Sequence, residues 1–228
     1  MKINGFQKLT LLDFPEKVAC IIFTAGCNFR CPFCHNASLV THIDENQNID
    51  EEEIFTYLEK RKGLLDGVCI TGGEPLLQSD IKEFIQKIKN MGYAVKLDTN
   101  GSYPEKLRDL IENNLVDYVA MDIKNSREKY AETAGIQNLL LDNIEKSISL
   151  LLENKVDYEF RTTVVNELHT KEDIKNISVL IKGTKKYFIQ NFKDSGDIIA
   201  RNMTEVTQNN LEDMLKTALD SGLSAKIR

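Results

Sequence analysis

Apolar positions recur along this chain in two alternating rhythms. Short, nearly unbroken runs such as Val18-Ala-Cys20-Ile-Ile-Phe23 and Val68-Cys69-Ile70 have the length of strands buried on both faces. Between such runs, apolar residues return every three or four positions, as with Ile81, Phe84, Ile85 and Ile88, or Leu211, Met214, Leu215 and Leu219. The pattern predicts strands over 18–24, 67–71, 94–99, 118–122, 158–164, 186–190 and 225–227. It predicts helices over 51–62, 80–91, 104–114, 142–154, 171–181 and 208–221, each burying one stripe on a sheet. The stripes are core faces, not cofactor boxes.

Strand and helix in alternation require a parallel sheet with right-handed crossovers. Six βα units fall short of the eight that close a full barrel, leaving a partial (β/α)6 barrel or an open doubly wound sheet, in either case an α/β fold. No Gly/Ser/Pro-rich linker, low-complexity tract or repeat divides the chain, so one domain over 1–228 is expected.

With 228 residues, 42% hydrophobic and 28% charged, the chain can bury a full core without metals or disulfides as staples. A net charge of -6 argues against nucleic-acid binding through a broad basic face. The basic clusters Lys60-Arg61-Lys62 and Lys185-Lys186 are short and adjoin element ends, and Asp50-Glu-Glu-Glu53 reads as the first turn of a helix. No apolar run reaches membrane-spanning length, and Lys2, Lys8, Asp13, Glu16 and Lys17 interrupt the N-terminus too often for a secretory signal. A cytoplasmic location is expected, where thiols stay reduced.

Three of the five cysteines lie in one loop, Cys27-Asn-Phe-Arg-Cys31-Pro-Phe-Cys34. Three thiolates so spaced can hold three irons of a four-iron cluster and leave the fourth open for chemistry. The competing reading is structural zinc, which normally wants four ligands. His35 follows Cys34 directly and could hardly turn back onto the same metal, while Cys20 and Cys69 belong to buried strands. A disulfide framework suits neither an odd cysteine count nor a chain of this length.

The loop matches the CxxxCxxC motif of the radical S-adenosylmethionine (SAM) superfamily without a gap, with Phe33 as the aromatic before the third cysteine. The longer string from Gly26 to Asn36 resembles the activating enzymes of glycyl radical enzymes, among them the activators of pyruvate formate-lyase and of anaerobic ribonucleotide reductase. The opening Ile3-Asn-Gly-Phe-Gln-Lys-Leu-Thr-Leu-Leu-Asp13-Phe14-Pro15 is similar to proteins assigned as anaerobic ribonucleoside-triphosphate reductase activating proteins. The resemblance implies the partial barrel, a 4Fe–4S cluster on Cys27, Cys31 and Cys34, SAM as cofactor, and a glycyl radical enzyme as partner. It also implies an external electron donor, flavodoxin or ferredoxin, since no second cysteine cluster is present.

In either α/β architecture ligands bind where strands end. The strand ends carry Thr71-Gly72-Gly73-Glu74-Pro75, Asp98-Thr99-Asn100-Gly101, Met121-Asp122-Ile123-Lys124 and Arg161-Thr162-Thr163. Gly72 and Gly73 lack side chains, so backbone there can approach the amino group of SAM, with Glu74 adding negative charge. Lys124 and Arg161 are candidates to neutralise the SAM carboxylate or meet the ribose side. By resemblance, Phe33 and the backbone around His35 lie against the adenine. Asp98 and Asp122 repel unless something positive lies between them. The family suggests a monovalent cation held by Asp98, Asp122 and carbonyls near Thr99 and Ala120; two separately solvated caps are the alternative. Pyruvate formate-lyase activators carry a histidine after the sixth strand where this chain has Gln190-Asn191-Phe192-Lys193, so that contact is either absent or replaced by Asn191 or Lys193. Two other functions share parts of the pattern: a radical SAM enzyme acting on a small molecule, and an electron-transfer module that binds no SAM.

Overall fold

Strand β2 (Ala19–Thr24) is apolar on both sides because both sides are covered, and the same holds for most of the sheet built on it. A computed structural model describes the backbone of residues 1–228 and every side chain except that of Glu45. The strands β1 (Ile3–Thr10), β2, β3 (Gly67–Gly72), β4 (Ala94–Thr99), β5 (Tyr118–Asp122), β6 (Asp157–Val164), β7 (Tyr187–Asn191) and β8 (Ala225–Ile227) form one sheet in chain order. From β2 onward each strand pairs parallel with the next, while β1 lies antiparallel on β2. The order never reverses, so there is no switch point of a doubly wound sheet. The sheet instead curls into a partial barrel with β1 and β8 as its two unpaired edges.

The crossovers carry α2 (Glu51–Lys60), α3 (Ile81–Asn90), α4 (Pro104–Glu112), α6 (Leu141–Leu152), α7 (Lys171–Leu180) and α8 (Gln208–Asp220) after the short helix α1 (Ala37–Val40), with α5 (Tyr130–Ala134) preceding α6. Predicted boundaries lie within two residues of these. Strand β1 and the helices α1 and α5 are absent from the sequence pattern. In α8 the expected stripe holds at Leu211 and Met214, but Leu219 in the last turn is 48% exposed. Asp50 caps α2 by accepting from the Glu52 N–H, so the acidic run is a helix start. Thr170 and Asp173 form a reciprocal capping box on α7.

Register separates the two faces. Cys20, Val68 and Val95 are aligned across β2, β3 and β4 and pack among Ile54, Leu58, Ile85 and Ile88 of the helices. Ile21, Cys69, Lys96 and Tyr118 are aligned one residue on and face the inside of the curl. Phe14, from the β1–β2 connection, closes this interior against Ala19, Ile21, Cys69 and Tyr118 at the strands' N-terminal ends. The opposite end, where the strands finish, is open.

Candidate active site

Strand β2 feeds directly into the cysteine loop, and Cys27, Cys31 and Cys34 line one cavity of about 390 Å³ above the strand ends. Two anchors hold the loop: the Arg30 N–H donates to Ala134 O at the end of α5 (2.8 Å), and the Ala200 N–H donates to Pro32 O (2.8 Å). Gly135, in left-handed backbone (φ 66°), lets α5 end this close; a Cβ there would lie 2.1 Å from Arg30 O. Burial pushes the free thiol of Cys27 up to about 12 and that of Cys31 up to about 11, so both are protonated at neutral pH and must release protons to bind metal. Cys20 and Cys69 are buried within β2 and β3, away from the loop, as their apolar runs predict. Among the described residues no three His, Cys, Asp or Glu side chains are grouped to hold a single metal ion. Three thiols on one loop, without a fourth ligand, suit a multi-iron cluster and not structural zinc.

The segment after β3 is pressed against this loop. Gly73 N–H donates to Thr24 O (2.9 Å) and Glu74 N–H to Gly26 O (2.8 Å). A Cβ on Gly72 would sit 2.4 Å from Thr24 N, and one on Gly73 would sit 2.0 Å from Gly26 O. The two glycines are therefore needed for contact with the cluster loop as well as for an open backbone. Because the obstructing atoms are backbone, Gly73→Ala is expected to lose about 1–3 kcal/mol or more of stability. Its thermal midpoint and iron uptake should both fall; a variant matching wild type in both would contradict this packing.

Glu74 does not itself line the cavity, though its negative charge reaches Cys27 there and helps to raise that thiol. It is 0% exposed and turned inward: Oε1 accepts from Leu76 N–H (3.0 Å) and the Thr99 hydroxyl (2.8 Å), and Oε2 accepts from Asn100 N–H (2.7 Å). Burial pushes its carboxyl up to about 7 against those three donors. Its work is to tie the end of β4 to the end of β3. Thr99 lines the cavity, but its hydroxyl is committed to Glu74 and to Gly101 N–H (3.1 Å).

Asp98 and Asp122 face the same cavity, and the positive charge between them belongs to the chain. Arg161 donates from Nη1 to Asp98 (3.2 Å) and from Nε to Asp122 (3.0 Å). Lys96 pairs with Asp98 from below, and Lys124 with Asp122 from the mouth side (3.0 Å). The five form an alternating ladder, Lys96–Asp98–Arg161–Asp122–Lys124. Burial alone would raise Asp122, but Lys124 and Arg161 outweigh it and hold the carboxyl at about 2. In turn Asp122 raises Lys124, and Asp98 with Asp122 raises Arg161, despite burial. The two carboxylates are therefore not separately solvated caps: Arg161 supplies positive charge between them. Arg161 and Lys124 line the cavity while engaged in the ladder.

At the mouth, Phe33 is 4% exposed and meets His169 edge-on (6.2 Å, 78°). The Val165 N–H donates to His169 Nδ1 (3.1 Å), which leaves the proton on Nε2 to be donated to Lys124 O (2.8 Å). His169 thus braces both Phe33 and the backbone of Lys124, a role with no motif to announce it. His35 stacks on Phe192 (5.2 Å, 27°), with Nε2 bonded to Lys193 O (2.7 Å). Asn191 does not replace the missing histidine: its amide pairs with the backbone of Val206 (2.8 and 3.0 Å), and Gln190 is the side chain from β7 that lines the cavity.

The Radical SAM superfamily model matches residues 21–181, from within β2 to the first residue after α7. The chain belongs to the radical SAM superfamily. This radical SAM enzyme is 36% identical over 222 residues, 95% of its length and 91% of the relative's, to a Methanocaldococcus jannaschii protein provisionally named a glycyl-radical enzyme activating enzyme. It is 28% identical to the Escherichia coli (strain K12) pyruvate formate-lyase 1-activating enzyme over 145 residues, 60% of this chain and 58% of that enzyme. In fold it resembles Streptococcus suis SuiB bound to S-adenosylmethionine, with TM-score 0.69 and 15% identity over 91% of this chain and 51% of that one. The cofactors of the family are a 4Fe–4S cluster and SAM. The donor set here suits both, with three thiols for a cluster and cationic groups and bare glycine backbone beside them. No helix among the described residues is long and apolar enough to cross a membrane.

Proposed function

We propose that this radical SAM enzyme cleaves SAM reductively and installs a glycyl radical on a partner enzyme, anaerobic ribonucleoside-triphosphate reductase being the partner favoured by residues 3–15. The observation that carries the reading is the meeting, in one cavity, of three cysteine thiols with Lys124 and Arg161. A cofactor that is an amino acid at one end and an adenosine at the other needs a metal and cations at the first and an aromatic wall at the second.

Cys27, Cys31 and Cys34 are assigned to the cluster. When bound, the cluster supplies an electron to the sulfonium and an open iron to the amino and carboxylate groups of SAM. The backbone at Gly72 and Gly73 takes the amino group, Lys124 and Arg161 face the carboxylate, and Phe33 with the backbone at His35 borders the adenine. The chain's contribution is to hold SAM in one pose and exclude water from the reacting carbon. One-electron cleavage of SAM would release methionine, and the 5′-deoxyadenosyl radical so formed would take a hydrogen atom from a glycine α-carbon, giving 5′-deoxyadenosine and leaving the radical on the partner. Flavodoxin or ferredoxin provides the electron. A protein substrate is supported by similarity along nearly the whole of the M. jannaschii relative and by the open edges of the incomplete barrel.

Electron paramagnetic resonance tests this directly. Reconstituted, reduced protein is mixed anaerobically with SAM and either anaerobic ribonucleotide reductase or pyruvate formate-lyase from the same source. A glycyl radical doublet with the reductase alone is expected. A doublet with the lyase alone reassigns the partner, and SAM cleavage without a doublet from either overturns the proposed pairing.

A further inference from the structure

Beside the cavity, the cluster loop and the end of β4 share a closed ring of hydrogen bonds. Asn28 Nδ2 donates to Ser102 Oγ (2.9 Å), Ser102 Oγ donates to Asn100 Oδ1 (2.6 Å), and Asn100 Nδ2 donates back to Asn28 Oδ1 (3.0 Å). The Ser102 backbone N–H also donates to Asn100 Oδ1 (2.9 Å). A backbone donor cannot be reversed, so it fixes which end of the Asn100 amide is oxygen. The NH₂ end must then face Asn28 and Cys27, whose Sγ lies 3.8 Å from Nδ2. Asn100 is 5% exposed, and its own N–H is pinned by Glu74. Every other polar atom of the amide is occupied, and the remaining N–H points at a cluster cysteine. The Phe29 N–H approaches the same sulfur at 3.3 Å.

We propose that Asn100 is a positioning residue that sets the reduction potential of the cluster through Cys27, with Asn28 and Ser102 holding its amide in place. The proposal rests on the assignment of Cys27 to the cluster. Adding one electron from an external donor raises the negative charge on the cluster and its thiolate sulfurs without moving a proton. An N–H aimed at such a sulfur stabilises the reduced state more than the oxidised one. Removing it makes reduction harder. Leucine matches asparagine in shape but has no donor.

The test is a redox titration of anaerobically reconstituted wild type, Asn100→Leu and Asn28→Ala, following the signal of the reduced cluster by electron paramagnetic resonance. Iron and acid-labile sulfide are counted in each sample. Asn100→Leu is expected to load fully and to show about a threefold to tenfold smaller equilibrium constant for reduction, or about 30–60 mV more negative for a one-electron couple. Asn28→Ala, which releases the amide without touching its Glu74 anchor, should shift the same way by less. A fully loaded Asn100→Leu at the wild-type potential overturns the proposal. If that variant does not load, an unshifted Asn28→Ala overturns it instead. Wild type that takes up no four-iron cluster defeats the cluster assignment itself, and the proposal with it.

Discussion

Cys31→Ala is expected to abolish 5′-deoxyadenosine formation while the barrel stays folded. Cys31 is 6% exposed and packed in the main core, so removing its sulfur costs stability on the order of 1 kcal/mol, well within what a domain of this size tolerates. The chemical loss is far larger. The loop offers three thiols, and Cys20 and Cys69 are locked into strands whose backbone is paired on both sides. Among the described residues, no thiol besides Cys27, Cys31 and Cys34 lines the cavity to take the place of the missing ligand. Circular dichroism should superimpose on wild type, iron content should drop, and turnover of SAM should fall below detection. Undiminished 5′-deoxyadenosine would sink the assignment of the loop to a cluster.

Arg161→Leu should be the most destabilising single change in the cavity. Arg161 is 14% exposed on its side chain and bridges two carboxylates that otherwise face each other across β4 and β5. Breaking a buried pair leaves uncompensated charge, which costs about 3–5 kcal/mol. Lys96 and Lys124 remain as single partners, which places the loss toward the lower end of that range. The deficit should also depend on pH. In wild type Asp122 is depressed to about 2 from an ordinary value of 3.8, so its pairing contributes stability above pH 4 that is lost as pH falls toward 2. Without Arg161 that contribution shrinks, so variant and wild type should differ more at pH 7 than at pH 3. Urea midpoints at the two pH values check this, and SAM affinity should fall at least about tenfold if the guanidinium also faces the SAM carboxylate. Equal midpoints at pH 7 would mean that the ladder carries no net stability.

Much of this molecule is legible in its residue pattern, and what is not has identifiable causes. Strands β2 through β7 read clearly because both of their faces are covered. Strand β1 does not, since only Ile3 and Thr10 of its eight residues are buried and its middle is solvated. Lys96 looks like an outward polar residue in an alternating strand. In a curled sheet the second face is an interior, so the lysine is 2% exposed and belongs to the ladder. The cysteine loop and the residues at the strand ends announced a site, but not how its charges pair. Asp98 and Asp122 called for a positive partner, and the sequence distance of 63 residues between Asp98 and Arg161 hid which one. Glu74 carries a motif position yet serves the scaffold, and Asn28, Asn100 and Ser102 form a ring that exists only once β4 and the cluster loop meet.

The unpaired edges of β1 and β8 give the barrel a mechanical property that a closed one lacks. In a closed barrel, strand number and stagger set the girth, and widening it means breaking rungs of the ladder. Here the wall is a C-shaped clamp with a seam. Its jaws can spread by sliding side chains and bending strands while every backbone bond between β1 and β8 stays made. Under the proposed function, the partner's loop would be admitted through this seam at the expense of packing alone, held as the seam narrows and released when it widens again.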